Sequence, residues 1–385
     1  MADSRDLDEM LNNLRRSSSE DTPQPRVDQP RQEPAPQQPA PQSARPAQKP
    51  TNNQSVMPAR RDGDDGEISV AGGRQQASET GWRGFLNRFG LNIGRSEAEQ
   101  EMDGWVRSIN QAGHGYPQVV AFVGPKGGGG KTISAVNIGS TIAKHRSAGG
   151  VVGVDVDEAS LLVRRMKPVT GKPSRGKSVS SFAADTSLES EGRPKVNTYL
   201  TTNEEGFSAL PGVALSGDSS PSREQIASSL QTLARHFDLI LVDAPGAREA
   251  DNTRATIDMA DGMVYVMSTS PDAMWLGRRH LEQLASQYPR LIEHTVVLLN
   301  HQTGGRMRTD LDKEVDAIQR ISTTGDPLPV FETAYDPHIA EGGGLSVSLT
   351  DKNTQRDYVK ISAALMETLD FGTPTRVLGR EFTQN

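Results

Sequence analysis

The sequence predicts an α/β fold built on a mostly parallel sheet of about seven or eight strands, with helices on both faces. From residue 118 onward, short apolar runs alternate with segments whose apolar residues recur at helical spacing. Such alternation is typical of parallel strands joined by crossover helices. The first apolar run, residues 119–123, leads into a glycine-rich loop and then a helical segment, an order of elements that suits the binding of a phosphate group.

The individual strands and helices follow from this alternation. Strands are predicted at residues 118–124, 151–156, 206–210, 238–244, 262–268, 294–300 and 328–332. Helices are predicted at residues 131–146, 222–236, 272–288, 309–320 and 354–369. The segment 167–200 is rich in Gly, Lys, Ser and Pro and is predicted to be a mobile excursion. Because sheets of this kind bind ligands at the carboxyl ends of their strands, functional residues are expected there.

The first 80 residues predict a disordered tail. Ten of the 24 prolines lie within residues 1–60, and this composition cannot bury enough apolar surface to offset the entropy of ordering. Apolar residues at positions 7, 10, 11 and 14 predict a short N-terminal amphipathic helix. That helix is either a fraying element of the tail or a recognition helix that docks on a protein partner.

Residues 81–117 predict a connecting segment of different character. Aromatic residues cluster among arginines near its start, and a helix with an apolar stripe is predicted at residues 97–111. Two interpretations are open: the segment packs on the domain that follows, or it meets a membrane surface or a partner. The following domain is predicted to span residues 118–371, and residues 372–385 are predicted to form a C-terminal tail.

Composition narrows the classes of function. The formal net charge of −7 disfavours a strongly basic nucleic-acid binder. The absence of cysteine excludes disulfides, thiolate metal sites and a cysteine nucleophile. The polar N-terminus lacks the apolar core of a signal peptide, and no apolar run approaches the roughly 18 residues that span a bilayer. A cytoplasmic protein is therefore expected.

The glycine-rich loop at residues 124–132 predicts a site for nucleotide phosphates. Glycines allow backbone N–H groups to surround an anion without Cβ clashes. Lys131 is expected to reach the β- and γ-phosphates, and the Thr132 hydroxyl is expected to ligate Mg²⁺. The general pattern G-x-x-x-x-G-K-[ST] has glycine where this chain has Pro125, so the loop departs from that pattern at one position.

Carboxylates follow two of the predicted strands. Asp155 and Asp157 are spaced so that both face one side of an extended chain, where one can hold Mg²⁺ through water and the other can orient the attacking water. Asp243 ends an apolar strand, an arrangement in which a carboxylate reaches the Mg²⁺ shell. Gly246 offers a backbone N–H to the γ-phosphate and a hinge for a switch segment.

Residues 126–132 resemble the deviant Walker A loop, K-G-G-x-G-K-[ST], of the ParA/MinD class of ATPases. The position before the first lysine is not restricted to glycine in that class, which accommodates Pro125. The resemblance covers roughly residues 118–370 and implies a P-loop NTPase that binds and hydrolyses ATP with Mg²⁺. It also implies that Lys126 reaches across an ATP-dependent homodimer to the partner's nucleotide.

The same resemblance assigns roles to the other motif residues. Asp155 and Asp157 match its paired switch I aspartates, and Asp157 matches the one implicated in water activation. Asp243 to Gly246 match its switch II pattern, and Asn300 matches an asparagine that contacts the adenine. The residues expected to be catalytic are Lys126, Lys131 and Asp157, and those expected to ligate the metal are Thr132, Asp155 and Asp243. The expected nucleotide-binding residues are Gly127, Gly128, Gly129, Gly130, Lys131, Thr132, Ile133, Gly246 and Asn300.

A narrower resemblance lies outside these motifs. Residues 81–86, 92–96 and 335–342 look like segments of the EspI-like group, which are MinD-like ATPases encoded beside actinobacterial type VII (ESX) secretion systems. This resemblance implies an ATPase that regulates or positions a secretion assembly, with the N-terminal tail binding a protein partner. Hydrolysis, slow without that partner, is expected to release the ATP-bound dimer.

Two alternatives of other classes remain open. A ParA-type plasmid or chromosome segregation ATPase would bind DNA nonspecifically, whereas a nucleotide-dependent scaffold would show only incidental turnover. Peripheral membrane contact is open as well. His301 and His338 are candidates for shaping the nucleotide edge, and Arg248 is a candidate for sensing the γ-phosphate. The basic candidates for DNA contact are Arg278, Arg279, Arg306, Arg308, Lys352, Arg356 and Lys360.

Overall fold

The computed structural model describes residues 96–112, 115–146, 150–169, 177–213, 219–246, 250–304 and 311–379. These residues all belong to the larger of two structural units, which spans residues 72–385. The predicted tail at residues 1–80, with its amphipathic helix, lies outside the described residues, as do the aromatic residues near the start of the connecting segment.

One sheet of eight strands organises the described residues, which confirms the predicted α/β class. The strands are β1 (Gln118–Val123), β2 (Val151–Asp155), β3 (Thr201–Thr202), β4 (Ser208–Leu210), β5 (Leu239–Asp243), β6 (Gly262–Ser268), β7 (Thr295–Asn300) and β8 (Val330–Thr333). Their order is β3-β4-β2-β5-β1-β6-β7-β8, and every neighbouring pair is parallel except β3 and β4. The short antiparallel β3 is not among the predicted strands.

Helices cover both faces of the sheet. Alternate side chains of β1 show this, because Val119, Ala121 and Val123 are buried in one apolar cluster while Val120 and Phe122 are buried in another. The helices of the described residues are α1 (Glu97–Gln111), α2 (Lys131–His145), α3 (Val179–Ala183), α4 (Leu188–Asn197), α5 (Arg223–Ala234), α6 (Asp251–Met259), α7 (Pro271–Gln287), α8 (Pro289–Glu293), α9 (Leu311–Gln319), α10 (Pro337–Glu341), α11 (Lys352–Thr368) and α12 (Arg376–Gly379).

The segment predicted to be a mobile excursion is ordered over residues 177–200, where the prediction is wrong. This part forms α3 and α4. Phe182 is fully buried, and the Tyr199 ring meets its ring edge-on at a centroid distance of 5.2 Å. The Tyr199 hydroxyl also donates a hydrogen bond of 2.7 Å to Asp185. A few well-placed apolar side chains thus order a stretch whose overall composition is polar.

Helix α1 packs on α11, which favours the first interpretation of the connecting segment. Ile109 is fully buried. The Arg356 side chain of α11 forms an ion pair of 2.7 Å with Glu101 and lies over the Trp105 ring at 5.3 Å. The part of the connecting segment that the structure describes therefore contributes to the core. Within the described ranges, no helix is both long enough and apolar enough to cross a membrane.

Candidate nucleotide-binding site

The carboxyl ends of the central strands meet at one edge of the sheet. Phe122 of β1 and Asp155 of β2 both pair in register with Asp243 of β5. Because β5 lies between β1 and β2, the loop that follows β1 emerges beside both carboxylates. The structure therefore brings together the glycine loop and the strand-end aspartates.

The glycine loop depends on backbone conformations that other residues disfavour. Gly128 and Gly130 adopt φ angles of 76° and 96°, in the left-handed region. At Gly124, a Cβ atom would clash with a backbone carbonyl oxygen of β6. Pro125 is buried, whereas the Lys126 side chain after it is exposed. Lys126 thus lies at the surface of the loop, where a second molecule can reach it.

Helix α2 begins directly after the loop. Its N-cap, Gly130, makes no side-chain hydrogen bond, so the first N–H groups of the helix carry no side-chain cap. Such groups and the helix dipole attract anions. Lys131 is buried close to Gly124. Ile133 is half-buried and packs against the apolar core, so its predicted contact with nucleotide stays a prediction.

Asp155 and Asp243 form a pair of buried carboxylates. Asp155 accepts hydrogen bonds from the backbone N–H groups of Asp157 (3.0 Å) and Leu162 (2.9 Å), one on each of its oxygens. Burial raises the pKa of both carboxyls, and the adjacent Asp243 raises the pKa of Asp155 further. A cation beside the pair would relieve this unfavourable electrostatic situation.

The Asp243 carboxylate is suited to hold that cation. Its Oδ1 atom is buried and makes no hydrogen bond in the described part of the chain. The Thr132 hydroxyl and the positive charge of Lys131 lie near this carboxylate, and both partly offset the rise in its pKa. A buried oxygen without a partner is destabilising, and Mg²⁺ prefers hard oxygen ligands. Thr132 and Asp243 therefore fit the predicted metal site, whereas Asp155 is already engaged by backbone donors.

Asp157 borders a cavity of about 920 Å³ together with Pro245 and Gly246. One carboxylate oxygen of Asp157 accepts a hydrogen bond of 3.0 Å from the Ala159 N–H. At Gly246, a Cβ atom would lie 2.6 Å from the Cα atom of Gly127, so only glycine lets the segment after β5 run against the loop. The residues predicted to orient water and to act as a switch thus border one cavity.

Asn300 ends β7 and directs its amide toward the glycine loop. Its Nδ2 donates to the Gly129 carbonyl oxygen at 3.3 Å, and its Oδ1 accepts from the Thr333 hydroxyl at 2.9 Å. Gln302 donates from Nε2 to the Gly128 carbonyl oxygen. The sequence interpretation missed Thr333 and Gln302, although polar residues at or just beyond a strand end were an available signal. The contact of Asn300 with adenine stays a prediction.

Lys352 is exposed at the start of α11, whereas the other remaining candidates are engaged within the chain or fall outside the described residues. His301 lies 3.0 Å from Glu332, and His338 lies 3.7 Å from Glu341. Among the basic candidates, Arg278 pairs with Glu282 and Glu314, Arg279 lies over Trp275, Arg356 pairs with Glu101, and Lys360 lies over Phe331. Arg248, Arg306 and Arg308 lie outside the described residues.

Comparison with solved structures finds proteins of the predicted kind at low identity, and no family model matches the chain. MinD from Pyrococcus horikoshii in complex with Mg-ADP is 18% identical, with a TM-score of 0.45 over 64% of this chain and 94% of that one. A variant of McdA from Cyanothece in complex with ATP is 16% identical, with a TM-score of 0.46 over 65% of this chain and 97% of that one.

Comparison in sequence finds EspI from Mycobacterium tuberculosis, which is described as an ESX-1 secretion-associated protein. The two chains are 27% identical over 298 residues, which cover 75% of this chain. The chain spans 42% of the length of EspI. The narrower resemblance to the EspI-like group is therefore confirmed in sequence, and the chain is a distant relative of EspI.

Proposed function

We propose that this protein is an ATP-binding and ATP-hydrolysing dimerisation switch of the ParA/MinD class that regulates or positions a type VII secretion assembly. The observation that carries the nucleotide part is the placement of the Thr132 hydroxyl and the unpartnered Asp243 Oδ1 beside a left-handed glycine loop. The similarity to EspI supports the secretion part.

The glycine loop and the start of α2 bind the phosphates in this proposal. The backbone N–H groups of residues 127–132 surround the phosphates, and the Lys131 ammonium interacts with the β- and γ-phosphate oxygens. Thr132 and Asp243, whose side chains lie close together, would hold Mg²⁺. Such an ion would supply positive charge that neutralises the negative charge developing during phosphoryl transfer.

Hydrolysis requires a residue that orients water toward the γ-phosphate, and we assign this role to Asp157. It follows β2 at the carboxyl edge of the sheet and borders the cavity beside Gly246. A positioned carboxylate can accept a proton from water as bond formation proceeds. The close approach of Gly246 to Gly127 lets the segment after β5 respond to occupancy of the loop.

The exposed position of Lys126 supports the dimer. Its side chain is free of the buried pair at the base of the site and can reach a phosphate held by a second copy of the chain. Two chains meeting over their loops would each supply a lysine in trans. Loss of the γ-phosphate removes this attraction, so hydrolysis would release the dimer. The N-terminal tail would then bind the protein partner that the switch controls.

Binding of Mg-ATP tests the nucleotide part. Lys131→Ala is expected to weaken Mg-ATP binding by more than about 100-fold in calorimetry, because it removes a charge that contacts two phosphates. Lys144→Ala is the matched control, since Lys144 is exposed near the other end of the same helix. Retained affinity in Lys131→Ala, with a normal circular dichroism spectrum, would reject the assignment of the loop.

A DNA titration separates secretion from segregation. Phosphate contacts give a steep dependence of affinity on salt, so a segregation ATPase would bind DNA with ATP at about 50 mM salt and release it at about 200 mM. The intrachain contacts of Arg278, Arg279, Arg356 and Lys360 leave less positive charge for DNA. Absence of ATP-dependent DNA binding at low salt is the expected result.

A further inference from the structure

We propose that Asn300, Thr333 and Gln302 are positioning residues that hold the glycine loop in its phosphate-binding shape, independently of the nucleobase. The inference rests on the proposed function for the identity of the ligand. It goes beyond it by assigning to Asn300 a role in orienting loop peptides and by adding two residues that the sequence motifs do not include.

Two consecutive loop carbonyls are held from outside the loop. The Asn300 Nδ2 donates to the Gly129 carbonyl oxygen, and the Gln302 Nε2 donates to the Gly128 carbonyl oxygen. Both donors come from β7 or the residues just after it, 171 and 174 positions away along the chain. The loop is therefore fixed to a different part of the sheet from the strand that it follows.

Holding these carbonyls orients the amide groups that follow them. In a trans peptide unit the C=O of one residue and the N–H of the next point in opposite directions. The Gly129 carbonyl is directed at Asn300, so the Gly130 N–H points away from Asn300. In the same way, the Gly128 carbonyl is directed at Gln302, so the Gly129 N–H points away from Gln302. Successive N–H groups that point to one side form an anion-binding concavity.

Thr333 sets the orientation of the Asn300 amide. The two residues are register partners at the ends of β7 and β8, and the Thr333 side chain is buried. Its hydroxyl donates to the Asn300 Oδ1 at 2.9 Å, so the Nδ2 must face the other way, toward the loop.

The Asn300 side chain packs closely against the glycine loop. A Cβ atom at Gly130 would overlap the Asn300 Nδ2. The loop is rich in glycine and loses much conformational freedom when it is ordered. Contacts that order it before the ligand arrives reduce this loss on binding and thereby increase affinity. Removing the contacts should therefore weaken every ligand that uses the phosphate cradle.

Binding of three probes distinguishes this role from contact with the base. Mg-ATP, Mg-GTP and magnesium tripolyphosphate share the phosphates and differ in the base. We expect Asn300→Ala and Thr333→Val to weaken all three about fivefold to tenfold, with the ATP-to-GTP affinity ratio unchanged. Thr333→Ser keeps the hydroxyl and is expected to restore wild-type affinity. A loss confined to ATP, with tripolyphosphate binding unchanged, would overturn the inference in favour of base contact.

Hydrogen exchange in the nucleotide-free protein tests the same inference without any ligand. Peptides that span residues 124–132 are expected to exchange faster in Thr333→Val and Gln302→Ala than in wild type. Thr295→Val is the matched control, because Thr295 is a buried threonine at the other end of β7 whose hydroxyl bonds to Leu291 instead. Unchanged exchange of the loop in Thr333→Val, or an equal change in Thr295→Val, would overturn the inference.

The two readouts separate this inference from the proposed function. If wild type binds neither nucleotide nor tripolyphosphate, the proposed function fails, while loop exchange still decides whether the three residues position the loop. If wild type binds Mg-ATP and Lys131→Ala does not, the proposed function stands, and equal binding by wild type and Thr333→Val rejects the positioning role.

Discussion

Asp155 and Asp243 lie side by side as register partners on neighbouring parallel strands, and both carboxylates are shielded from solvent. Burial raises the pKa of each, and the charge of Asp243 raises the pKa of Asp155 further. Without a cation, the folded protein therefore retains protons at pH values where the unfolded chain has lost them. When both carboxyls are ionised and no cation is bound, their charges destabilise the folded protein, and a bound cation would relieve this effect.

The metal-free protein is expected to lose stability as the pH rises. Because the folded-state pKa values lie above the unfolded value of about 4, the free energy of unfolding falls from about pH 4 upward through the raised pKa values. Each pKa unit corresponds to about 1.4 kcal/mol. Asp243→Asn removes one of the two charges, so its urea midpoint in EDTA should vary less with pH. An equal pH dependence in wild type and Asp243→Asn would contradict the raised pKa.

Asp157→Ala is expected to bind ATP and form the ATP-dependent dimer but to lose turnover by about 100-fold or more, since it removes the group that orients water. Phosphate release measures turnover, and light scattering with ATP measures the dimer. Glu158→Ala, altered at the exposed neighbouring residue, is the control and should turn over normally. Undiminished hydrolysis in Asp157→Ala would place the water-orienting group elsewhere.

Lys126→Ala should separate binding from dimerisation. The Lys126 side chain is exposed, so its loss leaves the cradle of its own chain intact and removes the charge offered to the second copy. Mg-ATP affinity is expected to change less than about threefold, within the range of an exposed charge pair, while the ATP-dependent dimer is lost. Calorimetry and light scattering measure the two quantities. A normal dimer in Lys126→Ala would exclude its action in trans.

Two glycine substitutions should shift stability in opposite directions. Gly130→Ala places a side chain at a left-handed φ and against Asn300, so it should destabilise the fold by about 1–2 kcal/mol or more and abolish nucleotide binding. Gly104→Ala lies inside α1, where the new methyl group would meet only the Arg107 side chain at 4.0 Å, and it should stabilise the fold by about 0.5–1 kcal/mol. Urea unfolding measures both. Equal signs would contradict the loop geometry.

Helix α1 should contribute to the stability of the whole unit. Ile109→Ala removes a fully buried side chain, and the expected loss is about 2–5 kcal/mol. Arg107→Ala, changed at an exposed position of the same helix, should be nearly neutral. Urea midpoints measure both variants. A neutral Ile109→Ala would mean that α1 leaves its place on α11 in solution.

The glycine loop and the strand-end aspartates could be recognised in the sequence because each motif is local and its chemistry is visible within a few residues. Thr333 and Gln302 follow predicted strands, which marks them as candidates, but the partners they contact could not be assigned in this way. Their contacts join residues more than 30 positions apart or more than 170 positions apart, and only strand register brings them together. The hydrogen bonds of Asp155 could not be predicted from the sequence either, because the backbone N–H groups of residues 157 and 162 reach its two oxygens only in the folded chain.

The order of residues 177–200 was hidden for a different reason. Polar and small residues dominate this stretch, and composition therefore favoured mobility. The structure shows that Phe182 and Leu188 are buried. Ser178 caps the first short helix, and Asp185 accepts hydrogen bonds from Ser187 in the turn between the two helices. Burial of a few apolar side chains can determine whether such a segment is ordered. The average composition of the segment does not reveal those few residues.

The packing of α1 also shifts the boundary from which a shortened protein can be prepared. Sequence alone placed the start of the domain at residue 118, yet Ile109 is buried before that point, and Ser96 caps the helix that carries it. A protein truncated at residue 118 would leave the apolar surface of α11 facing water, and exposed surfaces of that kind promote aggregation. A shortened protein for purification, crystallisation or binding assays should therefore begin upstream of Ser96.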